Sequence, residues 1–228
     1  MRDDITSIPI SEIFEEKDGC PICRLRNLLE KRVVEYITGA AMMEPDVRTE
    51  TNKAGFCFDH YRMLLAQRNR LSVALMMESH LASLDKRLFG GLPKGAGKRG
   101  KSTGHALSTC FVCDNIEHNM ERMLVNVCRL WERERDFRTL FAEQPSLCLP
   151  HFARLTETAN ACMSRRTAPD FCRDAQAVAQ REMEALRADV SHFCKMFDYR
   201  NAGENADWGT SRDAIERAVH FLTTREIK

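Results

Sequence analysis

The sequence predicts an all-α protein built from two repeated helical modules and a C-terminal helix. Three observations support this fold class. Apolar residues recur three and four positions apart through long proline-free stretches, such as residues 23–36 and 60–89, as in amphipathic helices. No segment shows the sustained alternation of a strand. The chain also repeats itself at an offset of 90 to 91 residues, which indicates two copies of one unit.

The repeat is clearest in four short motifs of cysteine and histidine. Cys20-Pro-Ile-Cys23 returns as Cys110-Phe-Val-Cys113, and Cys57-Phe-Asp-His60 returns as Cys148-Leu-Pro-His151. The two motifs are separated by 33 residues in the first copy and by 34 in the second. A lone Cys-x-x-Cys is a weak signal, but two pairs that recur together at matched spacing are a strong one.

The repeat and the composition predict four segments. Residues 1–89 form the first metal-binding module, 90–105 a flexible basic linker, 106–200 the second metal-binding module, and 201–228 a C-terminal loop with a docking helix. Six glycines, one proline and four basic residues between 90 and 104 favour a linker. In the last segment Trp208, Ile215, Val219 and Leu222 are available to dock the helix.

One long helix also shows an apolar stripe. The stripe lies in the stretch 60–89, is interrupted by Glu78, and has mainly polar residues opposite it. Its members are Leu71, Ala74, Leu75, Leu81, Ala82 and Leu88.

The eight motif residues predict a metal centre in each module. Two ligands three residues apart at the start of a helix can point at one ion, and the helix dipole favours an anionic sulfur there. We expect each module to join its own two motifs around one ion, so that three cysteines and one histidine close a tetrahedral site typical of structural zinc. The expected ligands are Cys20, Cys23, Cys57 and His60, then Cys110, Cys113, Cys148 and His151.

The expected cofactor is therefore zinc, two ions per chain. An iron–sulfur cluster is the alternative, since cysteines with one histidine can also hold a cluster. Reversible disulfides are a third interpretation, but such pairs usually lie beside a sheet. The remaining thiols, Cys128, Cys162, Cys172 and Cys194, are interpreted as buried packing residues.

Composition limits the compartment and the partners. Lys and Arg total 34 against 33 Asp and Glu, so no overall field draws the chain to nucleic acid or to an anionic membrane. The acidic N-terminal stretch lacks the pattern of a secretory signal, and no run of about 18 apolar residues is present. We expect a cytoplasmic protein without a membrane partner, and we regard nucleic acid as an unfavoured ligand.

Two motifs typical of enzymes lack the sequence context that their chemistry needs. Residues 95–102 satisfy the phosphate-binding pattern G-x-x-x-x-G-K-S, but no buried strand precedes them and no helix directly follows. Zinc deaminase chemistry needs a glutamate two residues after the first ligand, where Asp59 stands, and a proline before the Cys-x-x-Cys pair, whereas Pro21 lies inside it.

The motifs, together with Met43-Glu-Pro-Asp-Val-Arg48, Gly55-Phe-Cys-Phe-Asp-His60 and Ser191-His-Phe-Cys-Lys-Met-Phe-Asp-Tyr-Arg200, resemble an uncharacterised prokaryotic family, domain of unknown function 6062. The resemblance runs from about Ile8 to Leu222. It implies no activity, substrate or ligand, but it does imply that residues 198–208 belong to the fold.

The sequence thus favours a non-enzymatic, zinc-stabilised helical scaffold that binds another protein. The alternative is a redox or metal-handling protein that uses an iron–sulfur cluster or reactive thiols. An enzyme is the third interpretation, because the closed sites lack the open position that catalysis at a metal needs and no nucleophile and base pair can be placed.

Overall fold

The computed structural model describes residues 10–90, 103–104, 107–198 and 207–225. The predicted all-α class is confirmed, since the described residues contain helices and no strand. In chain order the α-helices are α1 (Ile10–Glu15), α2 (Pro21–Thr38), α3 (Pro45–Ala54), α4 (Phe58–Ala66), α5 (Arg70–Leu88), α6 (Phe111–Arg133), α7 (Arg135–Ala142), α8 (Leu149–Cys162), α9 (Ala168–Lys195) and α10 (Ala214–Thr223).

The helices follow the same order around the motifs in both halves. A long helix starts at each Cys-x-x-Cys motif (α2 and α6), a short helix follows (α3 and α7), and a third starts at each Cys-x-x-His motif (α4 and α8). A further long helix completes each set (α5 and α9). The predicted linker 90–105 lies almost wholly outside the described residues, as does most of the loop predicted after residue 200.

The chain divides into two compact units, and each of them is made of discontinuous stretches of the sequence. Among the described residues, unit 1 contains 26–90, 103–104 and 107–120, and unit 2 contains 10–25, 121–198 and 207–225. Because α2 and α6 are each continuous helices, both pass from one unit to the other. Each unit therefore contains parts of both copies of the repeat.

Unit 1 is centred on α2, α3, α4 and α5. Its core is aliphatic, with Leu29, Val33, Ile37, Leu64 and Met76 almost completely buried. α3 begins at Pro45, where proline suits the first turn, and stops at Gly55, whose φ of 64° is open to glycine at no steric cost. The Gly55 N–H donates to the Thr51 carbonyl at 2.9 Å.

α5 buries a different face from the apolar stripe read in the sequence. Its buried residues are Ser72, Val73, Met76 and His80. The stripe residues Leu71 and Leu81 are 68% and 60% exposed. Packing against α3 decides the orientation, because His80 Nδ1 donates to the Asn52 carbonyl at 2.8 Å in the space that Gly55 leaves without a Cβ.

Unit 2 is centred on an aromatic core. Phe14 from α1 packs on Phe137 and Phe141 from α7, with ring centroids 5.0 and 5.8 Å apart. Phe171 from α9 then lies 5.3 Å from both Phe141 and Trp131. Such aromatic contacts supply a large share of core burial, which places α6, α7 and α9 around one centre.

The predicted C-terminal helix is α10, and it packs on α8 and α9. Its buried residues are Ala214 and Phe221, whereas Ile215 and Leu222, expected to dock it, are 45% and 57% exposed. Trp208 does contribute, since its ring lies 5.5 Å from Phe193 and 5.9 Å from Phe197 in edge-on contacts. Arg217 of α10 forms an ion pair with Asp189 of α9 at 2.7 Å, and this pair holds the polar side of α10.

Candidate metal centres

All four motifs use the same local geometry. The first cysteine of each motif is the residue just before a helix, and its carbonyl accepts the first helical hydrogen bond, for instance from Arg24 N–H to Cys20 and from Tyr61 N–H to Cys57. The second ligand lies three residues later in the first helical turn. Both donor atoms of a motif therefore project from one helix N-terminus, where free amides and the helix dipole favour negative sulfur.

The structure brings the eight predicted ligands into two groups of four. The Cys20 cluster consists of Cys20, Cys23, Cys148 and His151, and the Cys57 cluster consists of Cys57, His60, Cys110 and Cys113. Within each group the ligand atoms all lie within 4.8 Å of one another. Either group could hold a metal ion. The Cys20 cluster lies in unit 2 and the Cys57 cluster in unit 1.

The pairing of motifs differs from the prediction. We expected each copy to join its own two motifs, but the first Cys-x-x-Cys meets the second Cys-x-x-His, and the second meets the first. One contact within unit 1 accompanies this pairing. Glu30 lies on α2, and His60 is hydrogen-bonded to it. Both residues belong to unit 1, whereas Cys20 belongs to unit 2.

In the Cys20 cluster the imidazole nitrogen His151 Nδ1 lies among three sulfurs. It is 3.1 Å from Cys148 Sγ, 3.3 Å from Cys23 Sγ and 3.8 Å from Cys20 Sγ. Cys148 Sγ is 3.6 Å from Cys20 Sγ and 3.7 Å from Cys23 Sγ, far longer than a disulfide bond. All four residues are buried.

The Cys57 cluster repeats this arrangement around His60 Nδ1. That nitrogen is 3.1 Å from Cys57 Sγ, 3.2 Å from Cys110 Sγ and 3.4 Å from Cys113 Sγ. Cys57 Sγ and Cys113 Sγ are 3.9 Å apart. His60 and Cys110 are buried, Cys57 is half-buried, and Cys113 is exposed.

A single tetrahedral ion accounts for these separations. With bonds of about 2.3 Å to sulfur and about 2.0 Å to nitrogen, a tetrahedral zinc ion requires donor atoms about 3.5 to 3.8 Å apart. The measured separations of 3.1 to 3.9 Å bracket that requirement in both clusters. The donor types also fit, because thiolates with one imidazole are the usual ligands of closed zinc sites.

Hydrogen bonds between neighbouring ligands shift the pKa values of the Cys57 cluster in opposite directions. Burial raises the pKa of the Cys110 thiol, but the hydrogen bond with His60 and backbone amides outweigh burial and lower that pKa to about 6. Burial lowers the pKa of His60, but the hydrogen bonds with Cys110 and Glu30 raise it to about 10. A metal ion bound at Nδ1 would compete with a proton for that nitrogen.

The Cys20 cluster also concentrates charge on one sulfur. Burial opposes ionisation of Cys20, yet hydrogen bonds with Cys148, Cys23 and His151 hold its pKa well below the usual range. The neighbouring thiols respond in the opposite direction, and the pKa of Cys148 rises to about 12. Hydrogen bonding within the cluster thus favours the thiolate at Cys20, which is the form of cysteine that binds metal ions.

Three supporting residues were not predicted. Glu30 Oε1 accepts from His60 Nε2 at 3.0 Å and so directs Nδ1 to the sulfurs. Arg24 donates to the Ile13 carbonyl at 2.7 Å and to the Gly19 carbonyl at 3.2 Å, and also to the Asp18 and Glu16 carbonyls, which fixes the loop before Cys20. Gln144 Oε1 accepts a further hydrogen bond from Arg24 at 3.4 Å. Their sequence positions carry no signal, because charged residues on a helix, such as Glu30 and Arg24, are ordinarily surface residues, and Gln144 lies in the loop just after α7.

The other cysteines form no further four-ligand group in the described residues. Cys128 is buried, as predicted for a packing residue, whereas Cys162 and Cys194 are exposed and Cys172 is half-buried. The prediction of buried packing is therefore wrong for Cys162 and Cys194. None of the described helices is both long and apolar enough to cross a bilayer.

The fold and the clusters together define a class of protein, all-helical with two possible metal centres of three cysteines and one histidine. The chain belongs to the Family of unknown function (DUF6062), whose profile matches residues 1–228. No curated protein and no solved structure matches the chain.

Proposed function

We propose that this protein is a zinc-stabilised helical scaffold that holds two structural zinc ions and interacts with another protein. One observation carries the zinc part of the proposal: each cluster presents four donors at the separations of one tetrahedral ion. An iron–sulfur cluster distributes its ligands over several iron atoms, so its cysteines would be spread further apart than around a single ion. The compact donor sets thus favour zinc.

The structural role follows from closure and from sequence distance. Four protein ligands leave no open position for a substrate, which supports a structural ion and not a catalytic one. Cys20 and Cys148 are 128 residues apart in sequence, so an ion between them would restrain a large part of the chain. We place the protein in a reducing compartment such as the cytoplasm, because metal binding needs all six cluster thiols reduced.

The interaction role is supported by apolar side chains left on the surface of α5. Leu71 and Leu81 are 68% and 60% exposed, although an amphipathic helix usually buries its leucines. Exposed apolar residues that form a contiguous patch are typical of a protein-binding surface, and the exposed Ala74 and Met77 lie between these two leucines on α5. The partner we propose is another protein.

Elemental analysis of the full chain, purified without air, tests the zinc part. We expect about two zinc ions per chain and no visible absorbance. Iron with absorbance in the violet region would overturn zinc in favour of the cluster alternative. Removal of zinc with a chelator should lower the melting temperature and the helical signal in circular dichroism. Unchanged melting after complete removal would contradict a structural role.

Affinity purification of the tagged full chain from its native cells tests the interaction part. We expect a Leu71→Lys and Leu81→Lys double variant to lose a specific co-purifying protein while its melting temperature stays unchanged. Met43→Lys is the matched control, since Met43 is 72% exposed but lies outside α5. Retention of every co-purifying protein by the double variant would contradict this use of α5.

A further inference from the structure

The two clusters differ in how far solvent reaches their ligands. In the Cys20 cluster every ligand is buried, and the most exposed, Cys23, is only 7% exposed. In the Cys57 cluster Cys113 is exposed and Cys57 is half-buried. Since Cys57 Sγ and Cys113 Sγ lie 3.9 Å apart, these two ligands form one edge of the cluster that solvent can reach.

The remaining two ligands of the Cys57 cluster are firmly held. Cys110 is buried, and the residues on either side of it are tied to the end of α3, where Thr109 Oγ1 donates to the Ala54 carbonyl at 2.7 Å and Phe111 N–H donates to the Gly55 carbonyl at 2.9 Å. His60 is buried and fixed by Glu30. The cluster thus has a fixed half and an open edge.

Residues beside the motifs are also more exposed at the Cys57 cluster than at the Cys20 cluster. Phe58, the residue after Cys57, is 75% exposed, whereas Leu149, the residue after Cys148, is half-buried. Arg24 braces the loop before Cys20, while the repeat places an exposed residue, Asp114, at the corresponding position after Cys110. The Cys20 cluster is enclosed on the sides where the Cys57 cluster is open.

We propose that the Cys57 cluster is an exchange site, where a bound zinc ion is passed to and from a thiol-bearing ligand at the Cys113 edge, while the Cys20 cluster retains its ion. This inference rests on the proposed zinc binding. In the exchange step the incoming thiol transfers its proton to Cys113 sulfur as the Zn–S bond to Cys113 breaks, and a Zn–S bond to the incoming sulfur forms. No electrons are transferred, so the step needs no oxidant or reductant.

Glu30 sets how strongly the open site retains its ion. A carboxylate that accepts from the far nitrogen of a ligating histidine fixes the ring and makes the near nitrogen a better donor. Glu30 does this for His60 at 3.0 Å. The repeat places Met120, which has no carboxylate, at the corresponding position of α6. The exchange site thus combines solvent access at Cys113 with Glu30, which positions His60 and limits loss of the bound ion.

Competition with a dithiol chelator tests the exchange site in the full chain loaded with two zinc ions. We expect one zinc ion per chain to leave in a fast phase and the second in a separate slow phase. Alkylation followed by peptide mass spectrometry identifies the cluster that empties. Cys57, Cys110 and Cys113 should become modified with the fast phase, while Cys20, Cys23 and Cys148 stay protected.

A Glu30→Ala variant sharpens the assignment. Loss of such an outer-shell partner should weaken zinc binding at the Cys57 cluster by about 10- to 100-fold and leave the slow phase unchanged. Glu35→Ala is the matched control, because Glu35 lies on the same helix and its carboxylate pairs with the exposed Lys31 at 3.9 Å, outside both clusters. We expect this control to behave like the native chain.

The outcomes separate this inference from the zinc proposal. Release of both ions in one phase, or modification of Cys20, Cys23 and Cys148 first, would overturn the exchange site and leave two structural zinc ions standing. A fast phase unaffected by Glu30→Ala would overturn the role of Glu30. A purified chain without zinc would instead overturn the proposed function itself.

Discussion

The crossed pairing of motifs predicts a specific result for Cys148→Ser. Cys148 Sγ contacts Cys20 Sγ, Cys23 Sγ and His151 Nδ1. Its loss should reduce bound zinc from two ions per chain to one and expose the thiols of Cys20 and Cys23. Pairing within each copy would instead expose Cys110 and Cys113, so the identity of the released thiols decides between the two arrangements.

The structure also gives the size of the effect on stability. An ion between Cys20 and Cys148 closes a loop of 128 residues. By the chain-entropy relation for a cross-link, closing such a loop contributes about 5 kcal/mol. An ion bound between Cys57 and Cys113 would close a separation of 56 residues, and the same relation gives about 4 kcal/mol. A loss of this size should lower the melting temperature by roughly 10 °C or more in a chain of this length.

The assay measures zinc per chain, the melting temperature, and the rate at which each cysteine reacts with a maleimide, read by peptide mass spectrometry. Cys57→Ser is the reciprocal variant and should expose Cys110 and Cys113 alone. Cys162→Ser is the control, since Cys162 is exposed and outside both clusters. Rapid modification of Cys110 and Cys113 in the Cys148→Ser chain, with Cys20 and Cys23 protected, would refute the crossed pairing.

Two further predictions concern single contacts. Gly55→Ala should destabilise the chain by about 1 to 3 kcal/mol more than Gly19→Ala in chemical denaturation. Both glycines have positive φ, but a Cβ at Gly55 would lie 2.6 Å from His80 Nε2, whereas one at Gly19 meets nothing within 4 Å. Equal losses of stability in the two variants would contradict the packing argument. Asp189→Asn should cost about 1 kcal/mol or less at neutral pH. Hydrogen bonding to Arg217 lowers the folded-state pKa of Asp189. The contribution of Asp189 to stability should therefore be present above about pH 4 and be lost as pH falls through the lowered folded-state pKa. A stability difference between the variant and the native chain that persists unchanged in acid would contradict this pH dependence.

Duplication explains why the candidate ligands could be named from the sequence. Chance can produce one Cys-x-x-Cys, but it rarely reproduces two motifs at matched spacing in a second copy. The helices could also be predicted from the sequence, because helical periodicity depends only on residues close together in the chain. The C-terminal helix was predicted as an element, but its buried residues were not, because Ala214 and Phe221 carry no clearer apolar signal than Ile215 and Leu222.

The pairing could not be read from the same pattern, because both arrangements use identical donors. Loop entropy favours the local pairing, yet each doubling of loop length costs only about 0.6 kcal/mol. That is small beside the roughly 10 to 16 kcal/mol of apparent zinc binding in small peptides. The choice is therefore made by tertiary packing, and His60 beside Glu30 is the contact that reveals it.

The orientation of α5 also could not be predicted from the sequence pattern of that helix alone. A hydrophobic stripe selects Leu71 and Leu81, but the buried face contains His80 and Ser72. Burying a histidine is tolerable when its nitrogen is hydrogen-bonded, and the Asn52 carbonyl supplies that bond. The space for the ring comes from Gly55, 25 residues earlier in the chain. A periodicity confined to one helix contains no information about that glycine.

The crossed pairing also separates the sequence repeat from the folding unit. Residues 1–89 contain the first Cys-x-x-Cys and the first Cys-x-x-His, which belong to different clusters. Each copy therefore supplies two ligands to each centre, and neither copy contains a whole one in the native arrangement. An ion bound at either cluster joins the two copies to each other and does not stabilise one copy alone. The proposed zinc binding would therefore be coupled to assembly of both copies, in keeping with compact units that each contain parts of both.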